Sequence, residues 1–327
     1  MRAIVQRGYG APDDVLRLGE IEQPAIHEDD VLVAVRAAAL NPVDWHYVRG
    51  LPYVMRLLGP AGFGLRGPRT AVRGIDLAGR VEAVGSNVTR FRPGDEVFAA
   101  AAGAFADYAC VPERLLVAKP ANLTMEQAAS VPLAALTALQ GLREVGRLQA
   151  GQRVLIIGAS GGVGSFAVQV ARSMGAEVTG VCSTRNLEFI QALGADRLID
   201  YSRDDYARGD LKYDVIFQIG GTASPSDLAR AVTPGGTVAL CSGDSAGKWI
   251  GPLGRTVRAV AISKLTRHRL IPFVTRRSAE DLELIKGLIE AGKIAPVIDR
   301  TYALADVPEA LRYVESGHTR GKVVITM

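Results

Sequence analysis

Residues 153–164 read RVLIIGASGGVG, with glycines at 158, 161 and 164 between an apolar run and a helical one. That spacing matches a dinucleotide fingerprint. A buried strand, a tight glycine turn and a helix N-terminus together make an anion site. Backbone N–H groups and the helix dipole point at a pyrophosphate, and glycine lets the phosphates approach closely. Gly158, Ser160, Gly161, Gly162, Val163, Gly164 and Ser165 are the candidates for that contact.

The flanking elements agree with this reading. VLIIG is apolar and β-branched, as a strand buried on both faces requires. In SFAVQVARSMG, Phe166, Val170 and Met174 recur at helical spacing and Gly175 ends the helix. EVTGVC then supplies a second strand and completes a βαβ unit. RLIDY, YDVIFQIGG and TVALCSG continue the alternation, which predicts a doubly wound parallel sheet. Residues 1 to about 120 differ. Short β-type runs (AIVQR, DDVLVAVRAAAL, AGRVEAVG, DEVFAA, ADYACVP) are separated by turn residues, as in a partly open barrel or sandwich. Residues 124–147 are helical, with Thr124 and Gln127 spaced as a capping box. The tail predicts helices over 279–291 and 308–316 and a last strand KVVITM. It returns to the first region, so the α/β nucleotide domain is read as an insertion into a β-rich one.

The chain has 327 residues, room for two domains, with 48% hydrophobic and 22% charged residues and a formal net charge of +4. This modest, dispersed charge argues against nucleic acid as a partner. No apolar run reaches the length of a spanning helix, and the N-terminus lacks a signal core. Three distant cysteines, Cys110, Cys182 and Cys241, fit a reducing compartment. A cytoplasmic protein without an integral membrane segment is expected.

Residues 74–98, GIDLAGRVEAVGSNVTRFRPGDEVF, together with GASGGVGSFAVQVA, SVPLAALTALQGL and HTRGKVVI, resemble the quinone oxidoreductase branch of the medium-chain dehydrogenase/reductase superfamily. The resemblance covers essentially the whole chain. It implies a GroES-like catalytic domain (1–122 and 276–327), an inserted Rossmann domain (123–275), a cofactor cleft between them and a homodimer. Zinc enzymes of the superfamily carry a Cys near the segment that is Leu40-Asn41-Pro42 here, and Gly-His-Glu where this chain has Gly74-Ile75-Asp76. Both zinc ligands are missing, as is the cysteine cluster of a structural zinc. No metal is expected.

After EVTGVC the chain reads Ser183-Thr184-Arg185-Asn186, with no acid before Glu188. An acid there would hold ribose hydroxyls. Ser183 and Arg185 instead suit a 2′-phosphate, which points to NADPH. The resemblance places Tyr201 over the same phosphate, and Lys322, Thr137 and Asn41 near the cofactor. Plainer readings stay open: Arg185 as a solvated helix start, Lys322 as a surface lysine, Thr137 bonding its own backbone, and Asn41 as a turn-former before Pro42.

Hydride transfer to a polarised acceptor asks the protein for orientation, exclusion of water and a donor near the carbonyl oxygen. Asn41, Asp44 and His46 are the catalytic candidates: Asn41 as a donor to a carbonyl or a ribose hydroxyl, Asp44 or His46 as a proton relay, with His46 also readable as a partly exposed helix residue. Tyr47, Tyr53 and Phe63 are candidates for a substrate wall. Residues 51–73, rich in glycine and proline, read either as a lid over a bulky hydrophobic acceptor or as packing on the barrel. Residues 255–277 hold seven basic side chains and no acid, in a pattern compatible with an amphipathic helix. That helix reads as an anionic-substrate rim, a membrane-surface contact or a solvated face. The expected activity is NADPH-dependent reduction of a small hydrophobic quinone or α,β-unsaturated carbonyl. Its rivals are an enoyl-thioester reductase, an alcohol dehydrogenase and a nucleotide-bound sensor.

Overall fold

The computed structural model describes residues 1–58, 63–207, 209, 211–241, 249 and 253–327. The chain forms two compact units: Met1–Leu136, Arg277–Ala291 and Pro296–Met327 in one, Thr137–Arg276 with Gly292–Ala295 in the other. The β-rich and α/β halves read from the sequence are both present.

The first unit is built on a seven-stranded sheet. Its central strand, Asp30–Leu40, is buried along nearly its whole length. On one side it pairs with Lys322–Thr326, on the other with Asp76–Val84, both antiparallel. Leu40 lies opposite Val323, and Ala39 opposite Asp76. That register brings Lys322, Asp76 and the residue after Leu40 to one end of three neighbouring strands. There the chain leaves the sheet through Asn41, with extended backbone, and enters the helix Pro42–Arg49. Proline at the first helical position fits because its missing N–H has no partner there.

The second unit holds a six-stranded, all-parallel sheet. Its strand order is Arg197–Asp200, Glu177–Cys182, Arg153–Ile157, Tyr213–Gln218, Val232–Leu240 and Arg269–Pro272. In chain order this is 3-2-1-4-5-6, the doubly wound arrangement. Its topological switch point lies between Arg153–Ile157 and Tyr213–Gln218, at whose carboxyl ends ligands bind in such folds. The helix Gly162–Ser173 follows the first of these strands, and Gly175, at φ +80°, terminates it. Thr124 and Gln127 make the expected capping box on Met125–Ala129.

Two expectations are corrected. Residues 255–277 are not one amphipathic helix. The helix runs Leu253–Leu265, and after a short turn the chain becomes the edge strand Arg269–Pro272. Leu270 is buried in the sheet, and that burial overrides the helical pattern. Residues 51–73 include a short helix, Tyr53–Leu58. Phe63 is buried, and the Tyr9 hydroxyl bonds the backbone of Gly64 and Gly67, so this part packs on the first unit. Residues 59–62 of that stretch, and 242–243 of the strand read as TVALCSG, lie outside the described residues. Among the described residues no helix is long and apolar enough to cross a membrane.

Candidate active site

At the switch point of the second unit, Gly158 turns the chain with φ +86°. A Cβ on Gly158 would sit 3.0 Å from the Gly220 nitrogen, so the two strand ends approach as closely as glycine allows. Gly164 is tighter still: a Cβ there would lie 2.1 Å from the Gly158 carbonyl oxygen. The first i→i−4 bond of the helix is Ser165 N–H to the Gly161 carbonyl, at 2.9 Å. The N–H groups of Gly162, Val163 and Gly164 precede it and, among the described residues, have no backbone acceptor, as an anion site requires. Ser165 is buried and its hydroxyl donates back to the Gly162 carbonyl at 3.0 Å, so it holds the turn and leaves anion contact to the backbone.

Ser183 ends the strand Glu177–Cys182, and Arg185 and Tyr201 stand exposed beyond it, Tyr201 at 61%. Asn186 was not among the predicted site residues. It is buried and donates to the Oγ of both Ser160 (3.0 Å) and Ser183 (3.3 Å), joining the glycine turn to the end of the second strand. The available signal was only its closeness to Ser183 at the end of a strand. Thr137 is buried and shares a hydrogen bond with the Thr275 hydroxyl at 2.7 Å. Arg255, from the basic stretch, turns inward. It donates to the Ala223 carbonyl at 2.8 Å and to Oε1 of the fully buried Gln218, whose Nε2 has no acceptor.

The first unit carries a second polar cluster. Lys322 is 3% exposed, which removes its reading as a surface lysine. Its Nζ donates to Asn41 Oδ1 at 2.6 Å and to the Leu40 carbonyl at 3.0 Å, and lies 3.2 Å from Asp76 Oδ2. Asp76 is 0% exposed. It accepts Asn41 Nδ2 at 2.9 Å on Oδ2 and the Leu133 N–H at 2.9 Å on Oδ1. The other Asn41 amide hydrogen faces the Ala39 carbonyl at 3.5 Å. With one Nδ2 hydrogen on Asp76 and the other only in a long contact, Asn41 keeps one lone pair on Oδ1 and can accept a hydroxyl. Asp76 also escaped the sequence reading. A carboxylate at the head of a strand whose first half is small and apolar was the available sign.

Asp44 stands one helical turn after Asn41 and is 1% exposed. Its Oδ2 accepts the Asn41 N–H at 2.8 Å, while Oδ1 is buried without a partner. Burial lifts its pKa to about 7, with the Asp76 charge adding to the rise. The Asn41 N–H, Lys322 and Arg73 oppose it. His46 stacks on Trp45 at 3.6 Å. Tyr47 packs on Phe63 at 4.7 Å, and the guanidinium of buried Arg73 lies 5.3 Å from its ring. Burial raises the Tyr47 pKa, against the pull of Arg277 and Arg73. Tyr53 lies under the Arg56 guanidinium at 4.7 Å. Asn41, Asp44 and Lys322 thus share one network, and Tyr47 and Phe63 share an aromatic contact.

A β-rich unit with a buried Asn–Asp–Lys cluster and a doubly wound unit with a glycine turn define a two-unit dehydrogenase or reductase architecture. A model of the alcohol dehydrogenase GroES-like domain matches residues 27–121, and one of a zinc-binding dehydrogenase matches 193–325. Among the described residues no group of three or more His, Cys, Asp or Glu is placed to hold a metal ion. A chloroplastic quinone-oxidoreductase homolog of Spinacia oleracea is 34% identical over 345 residues, covering 99% of this chain and 98% of that protein. A chloroplastic NADPH-dependent alkenal/one oxidoreductase of Arabidopsis thaliana is 33% identical over 339 residues, covering 99% and 79%. The structure of a quinone oxidoreductase from Coxiella burnetii superposes with a TM-score of 0.87 at 28% identity, covering 100% of this chain and 99% of that one. The chain belongs to the quinone oxidoreductase branch of the medium-chain dehydrogenase/reductase superfamily.

Proposed function

We propose that the protein is an NADPH-dependent reductase of quinones or α,β-unsaturated carbonyls that works without a metal. The observation that carries this reading is the second unit's phosphate-ready geometry. A glycine turn exposes helix N–H groups, and the neighbouring strand ends in Ser183 and Arg185 instead of an acid. The resident residues fit the cofactor. Gly162, Val163 and Gly164 would hold the pyrophosphate, and Ser183, Arg185 and Tyr201 the 2′-phosphate. The names of the Spinacia and Arabidopsis relatives support the same chemistry. A cytoplasmic homodimer belongs to the same proposal. Among the described residues the edge strand Arg269–Pro272 is paired on one side only, which supports the dimer.

NADPH supplies the hydride when bound. The protein's own residues then have narrow tasks. Asn41, held by Lys322 and Asp76, keeps a lone pair on Oδ1 that would accept a hydroxyl of a bound ligand. Asp44, which retains a proton on Oδ1 near neutral pH, is the buried proton reserve. Tyr47 and Phe63 form an apolar wall suited to a planar acceptor, and Arg73 and Arg277 face the Tyr47 phenol.

Titration of NADPH and NADH by calorimetry tests the reading. Wild type should prefer NADPH, and Arg185→Ala should weaken NADPH roughly tenfold or more while leaving NADH unchanged, as loss of a charged phosphate contact predicts. Equal affinity for both dinucleotides, or none, would overturn it. Gly164→Ala drives a methyl group into the Gly158 carbonyl and displaces the turn. Affinity for both dinucleotides should fall at least roughly tenfold, even though alanine favours the helix by about 1 kcal/mol. Unaltered binding in this variant would move the cofactor away from the turn.

A further inference from the structure

We propose that Asn186 is a positioning residue that turns two serine hydroxyls into phosphate donors, one at each end of the cofactor's phosphate path. The inference rests on the NADPH reading and deepens it. Asn186 is 5% exposed, and its backbone N–H bonds the Ser183 carbonyl at 2.8 Å, which locks the side chain beside the strand end. An amide nitrogen has two hydrogens. Here one goes to Ser160 Oγ and the other to Ser183 Oγ, at 3.0 and 3.3 Å.

The consequence follows from hydroxyl chemistry. A serine Oγ that accepts from Asn186 directs its own proton elsewhere, and it remains a donor. The surrounding hydroxyls are committed differently. Ser165 donates to the Gly162 carbonyl, Thr184 to Asp200 Oδ2, and Ser202 to Asp200 Oδ1. Among the described residues the protons of Ser160 and Ser183 have no such acceptor. These two serines sit where an anion is expected: Ser160 in the glycine turn, Ser183 at the strand end that lacks an acid. Asn186 therefore fixes the direction of both donors before the ligand arrives, a preorganisation that favours phosphate oxygens over hydroxyls that must themselves donate.

Substitution at this position separates polarity from packing. Asn186→Leu keeps the branched heavy-atom skeleton and removes both donor hydrogens, so NADPH affinity should fall roughly tenfold, with a smaller loss for NADH. Asn186→Asp makes the side chain an acceptor, draws both serine protons inward and adds a negative charge. NADPH affinity should then fall on the order of a hundredfold, and the NADPH-to-NADH preference should collapse. Ser183→Ala should lose the preference on its own, and adding Asn186→Leu to it should lower the preference little further, because one acts through the other. Calorimetric titration of each full-length variant gives the affinities, and thermal unfolding without ligand shows whether it is folded. Ser160→Ala and Ser183→Ala leave Asn186 in place and test the same donors if Asn186→Leu does not fold. Wild-type-like affinity in Asn186→Leu and Asn186→Asp, or equal losses for both dinucleotides, would overturn the assignment. A wild type that binds neither dinucleotide would instead overturn the NADPH reading itself, and the two failures are distinct.

Discussion

Replacing Lys322 by Met should cost the first unit about 3–5 kcal/mol, the usual penalty for removing one partner of a buried ion pair. The ammonium and the Asp76 carboxylate are both essentially inaccessible, and they lie 3.2 Å apart. Methionine matches the lysine stem in volume, so packing changes little. What changes is electrostatic. Asp76 keeps the Leu133 and Asn41 N–H groups but loses its counter-charge, while the Leu40 carbonyl and Asn41 Oδ1 lose their donor. The melting temperature should fall by on the order of 10 °C. Adding Asp76→Asn removes the stranded charge and should restore part of the loss, so the two substitutions will not be additive. Urea unfolding of the wild type, both single variants and the double variant measures this. A Lys322→Met protein within about 1 kcal/mol of wild type would show that the pair does not hold the unit together.

Asp44→Asn should behave in the opposite sense, and only at higher pH. The folded protein holds the Asp44 proton up to about pH 7, against 3.8 for an ordinary aspartate. Between these two values the folded chain binds a proton that the unfolded chain has released. Stability from this group is therefore fully present below about pH 4 and is lost as pH rises to about 7. Three units at 1.36 kcal/mol each make that loss about 4 kcal/mol. The groups that face Asp44 are Asp76 from one neighbouring strand, Lys322 from the other, Arg73 from the preceding loop, and Asn41 from its own helix start. Asparagine carries no charge at any pH and still offers an oxygen to the Asn41 N–H. The variant should match wild type below about pH 4 and exceed it by up to about 4 kcal/mol at pH 8.5. Denaturant unfolding across that range tests it, and a constant gap between the two proteins would refute a raised Asp44 pKa. If Asp44 is the proton reserve of the reaction, the stabilised variant should also be the slower enzyme, an exchange common at functional sites.

The parallel sheet, the glycine turn and the capping box at Thr124 were legible because each is a local pattern. A run such as VLIIG can only be a buried strand when turn glycines bound it, and Gly158, Gly161 and Gly164 fall where that strand must hand over to a helix. The edge strand Arg269–Pro272 was not legible. Its four residues lie within a basic and apolar pattern that also suits a helix, and only pairing with Val232–Leu240 decides the matter.

The site divides along the same line. The missing acid after Glu177–Cys182 could be read directly, since a strand end is one place in a sequence. Asn41, Asp76 and Lys322 are spread over most of the chain. They meet because Leu40 pairs with Val323 and Ala39 with Asp76, a register set by which faces of three strands are apolar. Asn186 is close in sequence to Ser183 but not to Ser160, and only the fold of the strand end back toward the glycine turn brings the two serines to one amide. The sequence by itself determined the kinds of unit and the nucleotide turn, because those depend on short-range periodicity and backbone freedom. The tertiary structure alone decided which polar groups are buried together, and hence that Asn41 is held between Lys322 and Asp76 and that the Asp44 pKa is raised to about 7. Hydrogen-bond saturation and desolvation depend on every neighbour in space.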